Sequence, residues 1–399
     1  MLRSIREIFV IGHGPSSSHS MGPYNAGKYI LNKYQEQKIK EIKITLYGSL
    51  AFTGKGHLTD QMLDIALKDI PHTVIFDVKT KKKHPNTMVF EINTLNKKYK
   101  ETVLSIGGGT IVTKDNKKEL LSKEIYPHQT MSEITKYCLD NHLSLYDYIV
   151  KYEDDDIFDY FKNVLKAMDQ AVEEGLKGEG YLPGELKVQR KAKSMYEEMM
   201  AKHMEEDIIS NVSVASFAVS EVNASGGIIV TAPTCGSAGV IPGCIRYLRL
   251  NKIPEEQIVK GLMVAGLFGM ICKTNASISG AEAGCQAEIG VASSMGAALI
   301  ASCLCDNLVD IVQSAEIALE HSLGLTCDPV CGYVQIPCIE RNAVYALKSI
   351  AAYKLAIIIP NDSIRVSYDD SVKTMMKTGL DMNKKYKETS QGGLAEFVK

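Results

Sequence analysis

The chain has no C-x-x-C pair, although it contains ten cysteines. Zinc ribbons and ferredoxin-type clusters use such closely spaced pairs, so both spacings are excluded. Nine of the ten cysteines follow residue 200. In a reducing compartment we expect them to be buried thiols or metal ligands and not disulfides.

The sequence also lacks a charge excess and an apolar run of membrane length. Its formal charge is −2, which favours neither nucleic acid nor anionic membrane as a partner. The apolar N-terminal run, IFVIG, is followed by no small-residue cleavage site, so we expect no signal peptide. The segment IGVASSMGAALIASCLC has 17 residues, fewer than the ~20 of a membrane helix. A cytoplasmic protein is therefore expected.

Two cofactor motifs are incomplete. TGKGHLTD, residues 53–60, lacks the spacing and the final Ser or Thr of a P-loop, so nucleotide binding is rejected. SIGGGT, residues 105–110, resembles the glycine-rich loops that cradle the phosphate of pyridoxal phosphate (PLP). No lysine lies in a matching Schiff-base segment, so we expect no PLP and keep a PLP enzyme only as an alternative.

The periodicity of the chain predicts two domains. Residues 1–130 alternate strand-like segments (EIKITLYGSL, HTVIFDV, NTMVFEIN, ETVLSIG) with helix-like ones, which indicates an α+β domain with a mainly antiparallel sheet. The polar, glycine-led passage 107–129 is the expected linker. Residues 131–399 show long helical periodicity, broken at YLPGELKVQR, and become rich in Ala, Gly and Ser, which predicts a mostly α-helical C-terminal domain.

GHGPSSSHSMGP, residues 12–23, has the composition of a solvated loop. Its alternative interpretation is an anion cradle formed by Ser16, Ser17, Ser18 and His19, with a helix beginning at about Pro23. The N–H groups at the start of that helix would favour a carboxylate or phosphate.

Two further polar positions are candidates. His57 lies in a Gly-flanked turn before a helix, an unusual place for a core histidine, and Asp60 could cap the helix or orient the imidazole. A lone histidine is nevertheless more often structural. Asn275, in KTNASISGAE, either belongs to a tightly packed helix end or reaches a substrate.

The stretch between Asn275 and Ala343 contains four candidate cysteines, Cys285, Cys327, Cys331 and Cys338, in surroundings rich in Gly and Pro. Buried cysteines usually act as small hydrophobes, and that interpretation suits the other six. Cys327 and Cys338 instead lie beside Asp or Pro in TCDPVCG and QIPCIERN. Exposed backbone N–H groups in such loops could hydrogen-bond to cluster sulfur, so a metal site is the alternative.

Several long motifs together resemble the iron–sulfur-dependent L-serine dehydratases (L-serine ammonia-lyases) in their single-chain form. GPSSSHSMGP, GKGHLTD and HPNTM are similar to the family's smaller, beta-type domain. LPGELKVQRKA, NASGGIIVTAPTCGSAGVIPG, NASISGAEAGCQAEIGVA and GLTCDPVCGYVQIPCIERNA are similar to its alpha-type domain, in the same order. The resemblance covers nearly the whole chain.

The resemblance implies roles for individual residues. Cys285, Cys327 and Cys338 match the three ligands of a [4Fe-4S] cluster, whereas Cys331 stands where many members have Gly and is interpreted as a neighbour. His57 matches the catalytic histidine, and Ser16–Ser18 with His19 match the substrate-anchoring loop. Leu58 replaces a common Gly after His57, and no cysteine follows Cys338 to occupy the fourth iron.

The implied reaction is the deamination of L-serine to pyruvate and ammonia. The open iron of the cluster acts as a Lewis acid, and neutral His57 takes the α-proton. A related lyase acting on L-cysteine or L-threonine remains an alternative, because one methyl group discriminates by only ~1–3 kcal/mol. A non-catalytic thiol–metal sensor is the alternative from another class. A homodimer is expected.

Overall fold

In the computed structural model, residues 1–114 and 124–398 are described, and they divide into two compact units. The α/β unit comprises residues Gly12–Ser122 and Ser225–Ile228. The helical unit comprises Met1–Ile11, Lys123–Ala224 and Ile229–Lys399. The predicted division into two domains between residues 130 and 131 stays a prediction.

The α/β unit contains a five-stranded sheet in which three of the four strand pairs are antiparallel. The first pair is parallel. Strand Ile39–Gly48 shows why the sheet forms: Ile42, Ile44 and Leu46 alternate with more exposed residues and enter the core. The strands, in spatial order, are His72–Asp77, Ile39–Gly48, Asn86–Thr94, Lys98–Gly107 and Thr110–Val112.

Three helices accompany this sheet: Gly22–Lys33, Ser49–Thr53 and Thr59–Leu67. Ala26, Ile30 and Leu63 pack from them into the same core as the strands. The predicted mainly antiparallel α+β fold is therefore confirmed. The passage predicted as a linker, residues 107–129, begins instead with the edge strand Thr110–Val112, and its residues 115–123 lie outside the described part of the chain.

The rest of the described chain is mostly helical, as predicted. Hydroxyl caps start the first two helices: Thr130 and Ser144 each form a capping box with the acidic residue three positions later. Residues 181–190 interrupt the helices, as the sequence indicated. The helices of eight or more residues are Met131–Asp140, Leu145–Tyr152, Ile157–Gly175, Ala192–Ala201, Ile208–Ala224, Val240–Leu250, Glu255–Asn275, Val291–Leu304, Leu308–Glu320, Cys338–Ala356 and Tyr368–Asp381.

The centre of the helical unit is formed by two helices whose middle turns are buried on all sides. Glu255–Asn275 and the stretch Gln286–Leu304 are long and apolar enough to cross a membrane by length and composition alone, with 78% and 83% of their most apolar windows buried. Core helices of globular proteins have the same properties. The second stretch spans 19 residues because a π-helical turn, Gln286–Gly290, continues into helix Val291–Leu304.

A separate two-stranded sheet pairs Ile11–His13 with Ile228–Val230. Two of the boundaries between the units fall within these strands, after Ile11 and after Ile228. The chain therefore first enters the α/β unit in one strand and last leaves it in the other.

Candidate functional sites

His57 lies in a tight turn of the α/β unit, between helices Ser49–Thr53 and Thr59–Leu67. Leu58, which follows it, has φ 56° and ψ 31°, a left-handed conformation that glycine adopts most readily. Leu58 thus keeps the conformation that the more common Gly would favour. A Cβ at Gly54 would lie 2.2 Å from the carbonyl oxygen of Leu50, so the turn requires glycine there.

The hydrogen bonds of His57 fix its tautomer. Its Nδ1 lies 3.0 Å from the carbonyl oxygen of Thr53, which can only accept, so Nδ1 carries the proton. Asp60 does not orient the ring; it accepts a hydrogen bond from the backbone N–H of Gln61. Nε2 is buried and has no hydrogen-bond partner among the described residues. The ring therefore presents a free lone pair, as a general base requires.

His19 stacks on His57, with ring centroids 4.8 Å apart. Its Nε2 lies 2.9 Å from Ser49 Oγ. Burial lowers the pKa of His57 below its ordinary value of 6.5. Burial, and then repulsion from His57, holds the pKa of His19 well below the same value. Both rings are consequently neutral near pH 7.

The three serines open a helix and do not form a loop before it. A π-helical turn, Ser17–Met21, runs directly into helix Gly22–Lys33, so the helical segment begins earlier than the predicted Pro23. Ser16 accounts for the difference, because its Oγ caps the turn by accepting from the N–H of His19 at 3.1 Å. The carbonyl of Ser18 accepts from Ser105 Oγ at 2.8 Å, which ties the turn to the sheet.

Asn275 is the last residue of helix Glu255–Asn275, and its side chain is exposed. Its Nδ2 donates to the carbonyl oxygen of Gln129 at 2.8 Å. The amide thus tethers two segments of the helical unit. Its predicted contact with substrate stays a prediction.

The predicted cysteine ligands come from three different elements of the helical unit. Cys285 directly precedes the π turn Gln286–Gly290. Cys327 lies in a loop that pairs with the C-terminal segment: its N–H donates to Tyr386, and its carbonyl accepts from Glu388, each at 2.8 Å. Cys338 is the first residue of helix Cys338–Ala356. Residues distant in sequence therefore converge on one region.

Two of these thiols are in contact and lie beside a cation. The hydrogen bond from Cys327, followed by the positive charge of Arg341, lowers the pKa of Cys285 to about 6. The pKa of Cys327 is raised well above its usual range by the same bond and by burial. Burial and then the charge of Cys285 raise the pKa of Cys338. The thiolate form of Cys285, which is the form that ligates metals, is thus favoured over the thiolate forms of the other two.

Carboxylates also face this region. Ligand atoms of Cys285, Glu288 and Cys327 all lie within 4.8 Å of one another. Burial, followed by the negative charge of Cys285, raises the pKa of Glu388 to about 7. Arg341 offsets part of the negative charge, lying 3.5 Å from Asp328 and donating to the carbonyl of Thr326 at 2.9 Å.

The remaining cysteines are free thiols. Cys331 is exposed and has a left-handed backbone with φ 51°. Neither Cys331 nor Cys338 is part of the group that Cys285 forms with Glu288 and Cys327 among the described residues. Five others are buried and one is partly exposed: Cys138, Cys235, Cys244, Cys272, Cys303 and Cys305.

Comparison with known proteins adds a second line of evidence to this geometry. The profile of the family described as "Serine dehydratase alpha chain" matches residues 31–395. The chain belongs to this family. It is 39% identical to the L-serine dehydratase of Haemophilus influenzae, and 98% of each chain is covered. It is 36% identical to L-serine dehydratase 2 of Escherichia coli, with 98% of each covered, and 35% identical to the L-serine dehydratase of Streptomyces coelicolor, with 99% of each covered.

These residues are compatible with a serine dehydratase that binds a metal cofactor. Thiolates are the ligands of iron–sulfur groups and other soft metal sites. Gly280 permits the close approach of two of these side chains, since a Cβ there would lie 3.1 Å from Cys327 Sγ and 2.6 Å from Glu288 Oε2. The donor set fits a bound metal group.

Sequence reasoning missed the charged residues around the cysteines. Glu288 follows Cys285 by three positions, and Arg341 follows Cys338 by three. In a helical segment this spacing places two side chains on the same face. The spacing was therefore a usable signal. No comparable signal existed for Glu388, which reaches the site only through the strand-like pairing of the C-terminal segment with Cys327.

Proposed function

We infer that this chain is an L-serine dehydratase, a lyase that deaminates L-serine to pyruvate and ammonia. The observation that carries this inference is its 39% identity, over 98% of both chains, to a protein named L-serine dehydratase. The substrate is a small amino acid. The buried histidine with a free Nε2 and the cysteine group supply chemical functions that such an elimination uses.

We propose that the cofactor is a [4Fe-4S] cluster held by Cys285, Cys327 and Cys338. Three thiolates leave one iron open, and such an iron is a Lewis acid that polarises the hydroxyl and carboxylate of a bound substrate. Arg341 would offset the negative charge of the thiolates, because it already hydrogen-bonds to Cys285. PLP has no role in the proposal.

His57 is proposed as the general base. The Thr53 carbonyl holds the proton on Nδ1, so Nε2 is the atom that takes the α-hydrogen of serine. The C–H bond electrons form the Cα–Cβ double bond, and the β-hydroxyl leaves as hydroxide, which gains a proton and becomes water. The resulting 2-aminoacrylate tautomerises and adds that equivalent of water, which gives pyruvate and ammonia.

Substrate positioning is assigned to Ser16, Ser17, Ser18, His19 and Asn275. The serines stand in the first turn of a helical segment, where backbone N–H groups and hydroxyls favour a carboxylate. Ser49 would orient His19 through its 2.9 Å contact with Nε2. Asn275 is the least supported of the five, because its amide already bonds to Gln129.

The cellular setting follows from the same proposal. An open iron reacts with oxygen, so the enzyme should lose activity in air and recover it with iron and thiol under anaerobic conditions. Its product, pyruvate, would link amino-acid catabolism to gluconeogenesis. We also propose a cytoplasmic homodimer that binds neither nucleic acid nor membrane, for which sedimentation analysis of the anaerobic protein is the test.

The proposed function is tested by anaerobic purification, an absorption spectrum and an assay of keto-acid release from L-Ser, L-Thr and L-Cys. We expect a broad brown absorbance and fastest release from L-Ser. Fastest release from L-Thr or L-Cys would identify the related lyase. A sharp yellow Schiff-base band would indicate a PLP enzyme, and a metal spectrum without keto-acid release would indicate a sensor.

A further inference from the structure

Glu288 is a carboxylate placed inside the cysteine group for which the elimination described above has no use. One of its oxygens lies within 4.8 Å of the sulfurs of both Cys285 and Cys327. Cys327 Sγ donates a hydrogen bond to Oε2 at 3.9 Å. A thiol and a carboxyl group joined by one proton can both become metal ligands once that proton leaves.

The residues around Glu288 pack closely against its side chain and hydrogen-bond to it. Gly280 has no Cβ, and one would lie 2.6 Å from Glu288 Oε2. A Cβ on Gly236 would lie 3.6 Å from Oε1, which is an ordinary contact distance. The Thr234 side chain hydrogen-bonds to the carboxyl. The π turn Gln286–Gly290 carries Glu288 on the same short segment that begins after Cys285.

We propose that Glu288 is the fourth protein ligand of the metal group, binding through a carboxylate oxygen at the position that no cysteine takes in the substrate-free protein. This inference rests on the proposed function, because it assumes a cluster held by Cys285, Cys327 and Cys338. It assigns a ligand within this chain to the iron that the cysteines leave open.

An oxygen ligand suits an iron that must also accept substrate. Carboxylate is a harder ligand than thiolate and binds iron less tightly than a fourth cysteine would. Metal binding selects the deprotonated carboxylate. The metal would then neutralise the charge of the deprotonated carboxylate.

Glu388 provides a matched control. It is a second half-buried acid on which the charge of Cys285 acts, so Glu388→Gln also removes an acidic group near the site. Among the described residues, Glu388 is not in the group whose ligand atoms lie within 4.8 Å of one another. If Glu288 is a ligand, only its substitution should change the metal group. A general effect of charge would appear in both variants.

The test is Mössbauer spectroscopy of the full chain loaded anaerobically with iron-57, without substrate, for wild type, Glu288→Gln and Glu388→Gln. We expect one iron of the wild type to differ from the other three, and that iron's signal to change or disappear only in E288Q. An E288Q spectrum identical to that of wild type would overturn the proposal, and so would an equal change in E388Q.

If E288Q binds no iron, Glu288→Asp is measured in its place. A cluster with a distinct fourth iron in E288D would support a carboxylate ligand. Absence of iron from both variants would contradict the proposal and would indicate that Glu288 has a structural role. Failure of the proposed function would look different: the wild type itself would then bind no cluster or release no pyruvate.

Discussion

At the scale of single residues, the account depends on how burial sets protonation states. His57 is 2% exposed and is held by a carbonyl on one side, with a free nitrogen on the other. Burial disfavours the charged imidazolium, so the ring is available as a base at neutral pH. The same physical effect keeps its stacking partner His19 neutral.

Replacing His57 by alanine tests its role as base. We expect His57→Ala to lower the rate of pyruvate release by about 10²–10⁴-fold, while the visible absorbance of the cofactor is retained. His72→Ala is the control in the same unit, because that ring bonds to Asp64 and to the Ile70 carbonyl. Loss of the absorbance in H57A would show that His57 is structural.

The pH dependence of kcat/KM follows from the lowered pKa of His57. The base must be neutral, and its pKa in the folded protein lies below 6.5. Activity should therefore be maintained at pH 6.5 and decrease only as the pH falls through the lower, folded-state pKa. A decrease centred above pH 6.5 would contradict the assignment of this buried ring as the base. The measurement is a series of initial rates at low L-serine concentration.

At the scale of elements, the cysteine site requires three segments to meet. Cys285 precedes a π turn, Cys327 lies in a loop paired with the C-terminal segment, and Cys338 begins a helix. Each segment contributes one thiol, so loss of any one leaves two thiolate ligands. Two thiolates do not retain a cubane cluster that needs three.

Single substitutions of the three cysteines test this arrangement. We expect Cys285→Ala, Cys327→Ala and Cys338→Ala each to lose bound iron, measured per chain after anaerobic reconstitution. Cys331→Gly is the control, because that residue is exposed and its φ of 51° is readily adopted by glycine. Full iron content in one of the alanine variants would remove that cysteine from the ligand set.

Helix packing in the helical unit depends on small residues. A Cβ on Gly175, the last residue of helix Ile157–Gly175, would lie 2.2 Å from the backbone oxygen of Ala218. Gly175→Ala should therefore lower the free energy of unfolding in urea by about 1–3 kcal/mol. Gly178→Ala is the control, since its Cβ would meet only the flexible end of Arg190. Equal stability of the two variants would refute this packing argument.

The sequence predicted elements better than contacts. Period-two alternation identified strand Ile39–Gly48, and the change to helical periodicity at about Met131 coincides with helix Met131–Asp140. The start of the first helix was wrong because Ser16 caps an additional turn that composition alone assigns to a loop. Local patterns identify elements, but a cap depends on one side chain reaching one N–H group.

At the scale of the whole molecule, the candidate residues fall into two compact units. His57, His19 and the serines belong to the α/β unit, and the cysteines, Glu288 and Arg341 belong to the helical unit. The individual roles of His57 and the cysteines came from motifs. The sequence did not indicate that Glu388 lies at the site, because this residue reaches the site through pairing of chain segments about 60 positions apart.

The central claim is that pyruvate release from L-serine depends on iron bound to this chain. The most direct test measures both quantities in one anaerobic preparation, as iron is removed by a chelator and then restored. The account predicts that the rate falls and recovers in proportion to bound iron, with full activity at about four irons per chain. Metal-free protein that releases pyruvate at the undiminished rate would contradict it.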